Sequence, residues 1–183
     1  MIKVFLIICC FLSVQKDDPV LSWDASNKLT WSDFKAKQNA FVNAVAITAS
    51  GITFGFSITK TDNNQVVSFT TEVHAHFYPE QSWYKKERAN NHILGHEQLH
   101  FDITELHARK FRQRISQLKV SSTIRKELKY IDKAIHKEMS KMQDKYDSET
   151  NYSINFESQV KWQTYIAKEL KKLSKFKSTS NSQ

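Results

Sequence analysis

The feature that most constrains this chain is the pattern His96-Glu97-x-x-His100, which lies in a long run of helix-compatible residues. The run 92–109 carries apolar residues at helical spacings and contains no glycine or proline after Gly95. On a helix, positions four apart lie within about 40° of each other around the axis and one turn apart along it. The imidazoles of His96 and His100 can therefore reach one ion.

The residue types in this pattern are those of metal-assisted hydrolysis. Two neutral imidazoles can hold Zn²⁺, and a carboxylate beside them can take a proton from a bound water. The pattern predicts zinc as the cofactor, His96 and His100 as ligands, and Glu97 as the catalytic general base. The alternative interpretation is an amphipathic surface helix with scattered histidines and no metal.

A zinc site needs a third protein ligand, and the sequence leaves its identity open. His107 shares the helical face of the two motif histidines but lies about 10 Å beyond His100 along the axis, too far for the same ion in a straight helix. Asp102 and Glu105 project away from that face. We therefore expect the ligand from the downstream part of the chain, where the candidates are His136, Glu138, Asp144, Asp147 and Glu149.

Asp147 is the favoured third ligand, with Glu149 next. Both lie near a predicted helix end, from which a carboxylate can turn toward the motif helix. Capping or solvation of that helix end explains the same acids about equally well. Tyr146 and Tyr152 are candidate hydrogen-bond donors to the oxyanion that forms when a carbonyl is attacked.

The segments before the motif helix have the composition of strands. β-branched and aromatic residues dominate the ranges 44–49, 52–59 and 65–77. His74 and His76 share one face of the last predicted strand. A solvated or supporting pair is favoured there over a metal site, because no carboxylate base accompanies it.

The segments after the motif helix favour helices almost to the end of the chain. We expect helix to about 118, then over 123–147 and 158–176, with a loop at 148–156. The fold class predicted is α+β, with a small N-terminal antiparallel sheet followed by a zincin-like HExxH helix and C-terminal helices. The domain boundaries expected are a signal peptide at 1–15, a zinc peptidase-like domain at 16–176 and a disordered tail at 177–183.

The first residues have the outline of a secretory signal peptide. Lys3 precedes a short apolar run, 4–14, which is too short to span a bilayer comfortably. We therefore expect a secreted or periplasmic protein with no integral membrane segment. A lipoprotein form through Cys9 or Cys10 is less favoured, because bulky isoleucines precede these cysteines.

The charge balance is basic, with 27 Lys and Arg against 19 Asp and Glu and a net charge of +8. Such a balance can indicate nucleic acid or an anionic surface as a partner. Here the lysines alternate with acids along predicted helices and are not clustered with stacking aromatics. A solvated helical face is favoured, and a protein or peptide substrate is expected rather than nucleic acid. The oligomeric state is left open.

Several blocks carry a family resemblance, and they are Trp31-Ser32-Asp33-Phe34, 48–52, Ser82-Trp83, 96–103 with Glu105, Ala108 and Arg109, Tyr146-Asp147-x-Glu149-Thr150, and Gln159 with Trp162. Together they resemble the predicted secreted zinc-dependent protease family, domain of unknown function 922. The resemblance implies an exported metal-dependent peptidase with His96 and His100 as ligands and Glu97 as the catalyst.

The chain departs from that family pattern at one place. Tyr152-Ser153 stands where the family tends to place a His-Gly pair. If that histidine is the family's third ligand, the ligand is lost here, whereas an aspartate ligand is retained. The function expected is a secreted zinc metallopeptidase, and the departure at Tyr152 favours the alternative of a catalytically inactive exported binding or scaffold protein that keeps the helix.

Overall fold

The computed structural model describes residues 19–178. The predicted signal peptide at 1–15, both cysteines and most of the predicted tail lie outside this range. Within it the strands are β1 (Leu21–Ser22), β2 (Ala46–Ile47), β3 (Ser50–Lys60), β4 (Val66–Phe77) and β5 (Trp83–Tyr84). The α-helices are α1 (Asn91–Ile115), α2 (Ile124–Thr150) and α3 (Phe156–Lys172), and single 3₁₀ turns lie at Trp31–Asp33, Pro79–Gln81 and Ser174–Phe176.

The strands form two small antiparallel sheets. β3 and β4 make a long hairpin in which Ser50 pairs with Phe77 and Lys60 pairs with Val66. Its turn includes Asn64, whose φ of 62° is left-handed, a conformation that asparagine adopts more readily than most residues. β1 pairs with the other edge of β4, and β2 pairs with β5 in the second sheet. The prediction of an α+β fold with a small antiparallel sheet before the helices is confirmed.

Helix α1 is the central element of the fold. The side chain of Asn90 caps it by accepting a hydrogen bond from the backbone N–H of Ile93 at 3.0 Å. One side of α1 packs on the sheet through Phe101, Ala108 and Phe111. Another side packs on α2 and α3 through Leu99, Ile103 and Leu106. Because apolar contacts cover α1 on both sides, its orientation is fixed by two cores.

Buried charges also anchor α1. The Glu105 carboxylate accepts a hydrogen bond from Nε of Arg109 at 2.7 Å, and Arg109 donates to the carbonyl of Leu170 at 2.6 Å. Arg112 donates to the carbonyl of Phe176 at 2.7 Å and to a carbonyl of β4. These bonds tie the C-terminal end of the described chain and the sheet to α1, and they satisfy the buried ionised groups.

The boundaries differ from the predicted ones at four places, one of which is the end of α3 at Lys172 rather than near 176. The strand predicted at 44–49 is shorter and consists only of β2, Ala46–Ile47. Helix α1 ends at Ile115 rather than near 118. The predicted loop at 148–156 is shorter, because α2 continues through Thr150 and α3 begins at Phe156. The connection is compact because three successive residues, Asn151, Tyr152 and Ser153, are left-handed, with φ of 48°, 52° and 72°. Among residues 19–178, no helix is both long and apolar enough to cross a bilayer.

Candidate metal centre

Side chains from α1 and α2 bring three potential ligand atoms together. Nε2 of His96 lies 3.2 Å from Nε2 of His100, and Oδ1 of Asp147 lies 3.1 Å from the first and 2.9 Å from the second. In a tetrahedral zinc site with bonds of about 2.0–2.1 Å, ligand atoms lie about 3.3 Å apart. The three atoms therefore outline one face of a tetrahedron of nearly the size that zinc requires.

The antiparallel packing of α1 and α2 creates this convergence. Contacts between the helices run from His96 with Asp147, through His100 with Gln143, to Arg114 with Glu138. The two histidines lie one turn apart on the face of α1 that meets α2. Asp147 lies in the last turn of α2, so its carboxylate faces both imidazoles.

Each imidazole is held by a different neighbour. Nδ1 of His100 lies 2.6 Å from Oε1 of Gln143, whose Nε2 donates to the carbonyl of His100 at 2.9 Å. This arrangement makes Nδ1–H the donor and leaves the Nε2 lone pair free for a metal. The ring of Tyr146 stacks on His96 with centroids 4.5 Å apart. Nδ1 of His96 is buried without a hydrogen-bond partner in the described part of the chain, so stacking holds that ring.

The charges of the centre reinforce one another. Burial lowers the pKa of His100, but hydrogen bonding to Asp147 and the negative charges of Glu97 and Asp147 outweigh this and raise it. Burial favours a higher pKa for Asp147, but the imidazoles of His100 and His96 outweigh it and hold the pKa well below the usual range. The Asp147 carboxylate is therefore an anion across the physiological range and suits a cation.

Glu97 shares a cleft with the three candidate ligands. The cleft has a volume of about 1020 Å³ and is lined by His96, Glu97, His100 and Asp147 together with apolar side chains of the surrounding walls. Glu97 is only 5 % exposed. Its carboxylate makes no hydrogen bond or ion pair with other residues of the range 19–178, so no partner competes for a proton-transfer role.

The two tyrosines proposed from the sequence occupy different positions. Tyr146 is completely buried beneath the two imidazoles, and its hydroxyl donates to the carbonyl of His96 at 3.4 Å. Burial and the charges of Glu97 and Asp147 raise its pKa, so the phenol stays protonated. Tyr152 lines the cleft and is 70 % exposed. Of the two, Tyr152 is the one placed where a substrate could reach it.

The other candidate ligands lie away from the centre. Glu149 accepts a hydrogen bond from Nε1 of Trp162 at 2.8 Å and so faces α3. Glu138 binds Arg114 through both carboxylate oxygens. His136 lies 3.3 Å from its helix neighbour Asp132.

Three further histidines are also separate from the centre. His107 lies along α1 with Nδ1 against the carbonyl of Ile103 at 2.9 Å. His74 and His76 stack with ring centroids 5.8 Å apart on β4. Within the described residues, the only cluster of three potential ligands is His96, His100 and Asp147.

Sequence reasoning missed two residues of the centre. Gln143, which orients His100, lies four positions before Asp147 and therefore on the same helix face. That spacing is a signal the sequence contains. At the rim of the cleft, Nε2 of His92 lies 2.7 Å from the carbonyl oxygen of Ser153. No sequence pattern indicated this contact.

Comparison with known proteins gives one family. No curated protein and no solved structure matches the chain significantly. The sequence model described as "Bacterial protein of unknown function (DUF922)" matches residues 28–154, which is more than half of the 183 residues. The matched region contains β2 to β5, α1, α2 and all three candidate ligands. The chain therefore belongs to the DUF922 family of bacterial proteins of unknown function.

Proposed function

We propose that this chain is a zinc-dependent metallopeptidase. The observation that carries the proposal is the convergence of Nε2 of His96, Nε2 of His100 and Oδ1 of Asp147 in a cleft that also contains Glu97. Two histidines and one carboxylate are a ligand set of catalytic zinc sites, in which a fourth position stays open. The volume of the cleft leaves room for a substrate beside these residues.

The residues present fit zinc in charge as well as in spacing. An ionised carboxylate and the Nε2 atoms of two imidazoles supply the oxygen and nitrogen donors suited to Zn²⁺. When bound, zinc would polarise a peptide carbonyl and lower the pKa of a water molecule toward neutrality. Gln143 and Tyr146 would keep the two imidazoles in place during this chemistry.

Glu97 is the residue to which we assign proton transfer. It follows His96 directly in α1 and lines the same cleft, with no other partner for its carboxylate in the described range. It takes a proton from the attacking water and passes it to the leaving amine. Tyr152, at the rim, is the candidate to donate a hydrogen bond to the oxyanion.

The substrate class proposed is a protein or peptide outside the cytoplasm. The cleft is partly open to solvent, and its volume of about 1020 Å³ can hold several residues of an extended chain. Export is proposed from the leader-like residues 1–15 alone. The proposal of a secreted or periplasmic location rests on these residues.

The test combines metal content with hydrolysis. Purified protein should contain close to one zinc per chain, and a peptide library should be cleaved by it and protected by a chelator. Glu97→Gln should abolish cleavage while the zinc content is unchanged. Glu72→Gln, which changes an exposed residue on β4, is the matched control and should cleave normally. Cleavage by the Glu97→Gln variant at the normal rate would remove Glu97 from the reaction.

A catalytically inactive binding or scaffold protein is the second candidate. The observation that favours it is Tyr152, an exposed aromatic side chain at the rim of the cleft where the family tends to place histidine. This candidate predicts one zinc per chain and no cleavage in the same library. Zinc-loaded protein that binds peptides without cutting them would decide for it.

A further inference from the structure

A second cavity lies between the three helices, apart from the metal centre. It has a volume of about 580 Å³, and its lining comes from α1, α2 and α3. We call it the three-helix cavity and define it by His107, Met142 and Trp162 on its inner wall and Lys141 at its mouth. None of these residues belongs to the candidate metal centre.

The mouth of the three-helix cavity carries a surplus of positive charge. Four lysines line it: Lys110, Lys141, Lys145 and Lys161. Its two glutamates are already engaged, since Arg114 binds Glu138 and the indole N–H of Trp162 binds Glu149. In the described part of the chain, Lys110 and Lys141 form no ion pair. Lys145 already pairs with Glu149 and Lys161 with Glu157, so an anion entering the cavity would meet two cations without ion-pair partners, Lys110 and Lys141.

Burial disfavours the charged form of Lys110. Desolvation lowers the pKa of Lys110, and the nearby charges of Glu138 and Glu169 only partly oppose this. A further anionic group close to the ammonium would bring the pKa back toward its ordinary value. The cavity thus has a half-buried cation whose neighbouring carboxylates only partly compensate for its burial.

The inner wall offers a hydrogen-bond acceptor in the ring of His107. His107 is 1 % exposed, and its Nδ1–H donates to the carbonyl of Ile103 at 2.9 Å. Burial lowers the pKa of His107 to about 4, so the ring is neutral at physiological pH. Its Nε2 therefore carries a lone pair, and no donor in residues 19–178 bonds to it. His107 lines the cavity, so this nitrogen can accept a hydrogen bond from a ligand that brings a donor.

The remaining wall is aromatic and apolar. Trp162 and Tyr165 meet edge to face with centroids 5.8 Å apart, and Met142 lies beside them. Aromatic and thioether side chains of this kind accept a flat ring.

We propose that the three-helix cavity binds a small aromatic acid that carries a hydroxyl group. The ring lies against Trp162 and Tyr165, the hydroxyl donates to Nε2 of His107, and the carboxylate pairs with Lys110 and Lys141. Each part of this ligand matches one group of the cavity lining. The inference does not depend on zinc or on peptidase activity.

The test uses the full chain and three related probes. 3-(4-Hydroxyphenyl)propionate has the acid, the ring and the hydroxyl; 3-phenylpropionate lacks the hydroxyl; tyramine replaces the acid by an amine. Binding is followed by calorimetry and by the NMR signal of the Trp162 indole N–H, assigned with Trp162→Phe. The first probe should shift that signal saturably, the second should bind at least about fivefold more weakly, and tyramine should not bind.

A charge-reversal pair makes the test specific. Lys141→Glu places an anion at the mouth of the cavity and should weaken the first probe at least about tenfold. Lys129→Glu makes the same change at an exposed position of α2 that does not line the cavity, and it should bind normally. The proposal is overturned if the Trp162 signal stays unshifted up to about 10 mM probe, if the three probes bind equally, or if both variants behave alike.

Discussion

Oδ1 of Asp147 lies 3.1 Å from Nε2 of His96, although 51 positions separate the two residues in the chain. The contact exists because α2 returns antiparallel along α1 after a short turn. It gives the paired histidines a carboxylate that neither they nor Glu97 could supply.

Asp147→Ala should lower zinc affinity more than a hundredfold. The loss of a hydrogen-bond partner outside the ligand set already costs about 10- to 100-fold in such sites, and a charged ligand contributes more. Competition with a chromophoric chelator measures the effect. Asp144→Ala, an exposed residue less than one turn earlier in α2, should retain zinc. Equal affinities for the two variants would show that Asp147 is not a ligand.

Gln143→Leu should weaken zinc binding by about 10- to 100-fold. The substitution removes the acceptor that lies 2.6 Å from Nδ1 of His100 and frees that ring to rotate. Gln143→Glu retains the acceptor for Nδ1 but loses the donor to the carbonyl of His100, so it should recover only part of the affinity. The same chelator competition compares them, with Ser140→Ala on the exposed side of α2 as a control. If the Leu variant binds as the parent does, His100 is oriented by something else.

Glu105→Ala should destabilise the fold by about 3–5 kcal/mol, because it leaves buried Arg109 without its counter-charge. Glu105 and Arg109 are 1 % and 4 % exposed, and their ion pair spans one helical turn. Urea unfolding followed by circular dichroism measures the change. Glu157→Ala breaks an ion pair of the same spacing on the surface, with Lys161, and should shift the midpoint little. Similar shifts for both variants would contradict the structural role of Glu105.

His107 should make the protein less stable as the pH falls from 6.5 to 4. In the unfolded chain an imidazole takes up a proton near pH 6.5, whereas burial lowers the pKa of folded His107 to about 4. The contribution is fully present above pH 6.5 and falls by roughly 3 kcal/mol as the pH approaches 4. Urea midpoints across this range measure it.

Two glutamine variants isolate this effect. His107→Gln should flatten the dependence between pH 6.5 and 4 relative to its own stability at higher pH. His136→Gln, which removes a half-exposed imidazole on α2, should leave the slope as it is in the parent protein. A slope that His107→Gln does not change would assign the acid sensitivity to other groups.

Local sequence patterns were sufficient for the order of the main elements, a hairpin followed by three helices, but not for the two-residue strand β5. The helical spacing of apolar residues around His96 and His100 predicts α1, and the β-branched segments predict the hairpin of β3 and β4; both are present. These features depend on interactions between neighbours in the chain, so periodicity and residue type reveal them. The position of Glu97 between the two histidines has the same local origin.

The packing of α2 on α1 decides which carboxylate of α2 faces His96 and His100, which local patterns left open. Asp147 and Glu149 are the first and second candidates in sequence, and positions two apart on a helix point about 200° away from each other. Because α2 continues through Thr150 between α1 and α3, Asp147 meets the histidines while Glu149 meets Trp162. The support of His100 by Gln143 and the placement of Tyr146 beneath both rings arise in the same way, since each joins residues more than forty positions apart that meet only when α2 packs on α1.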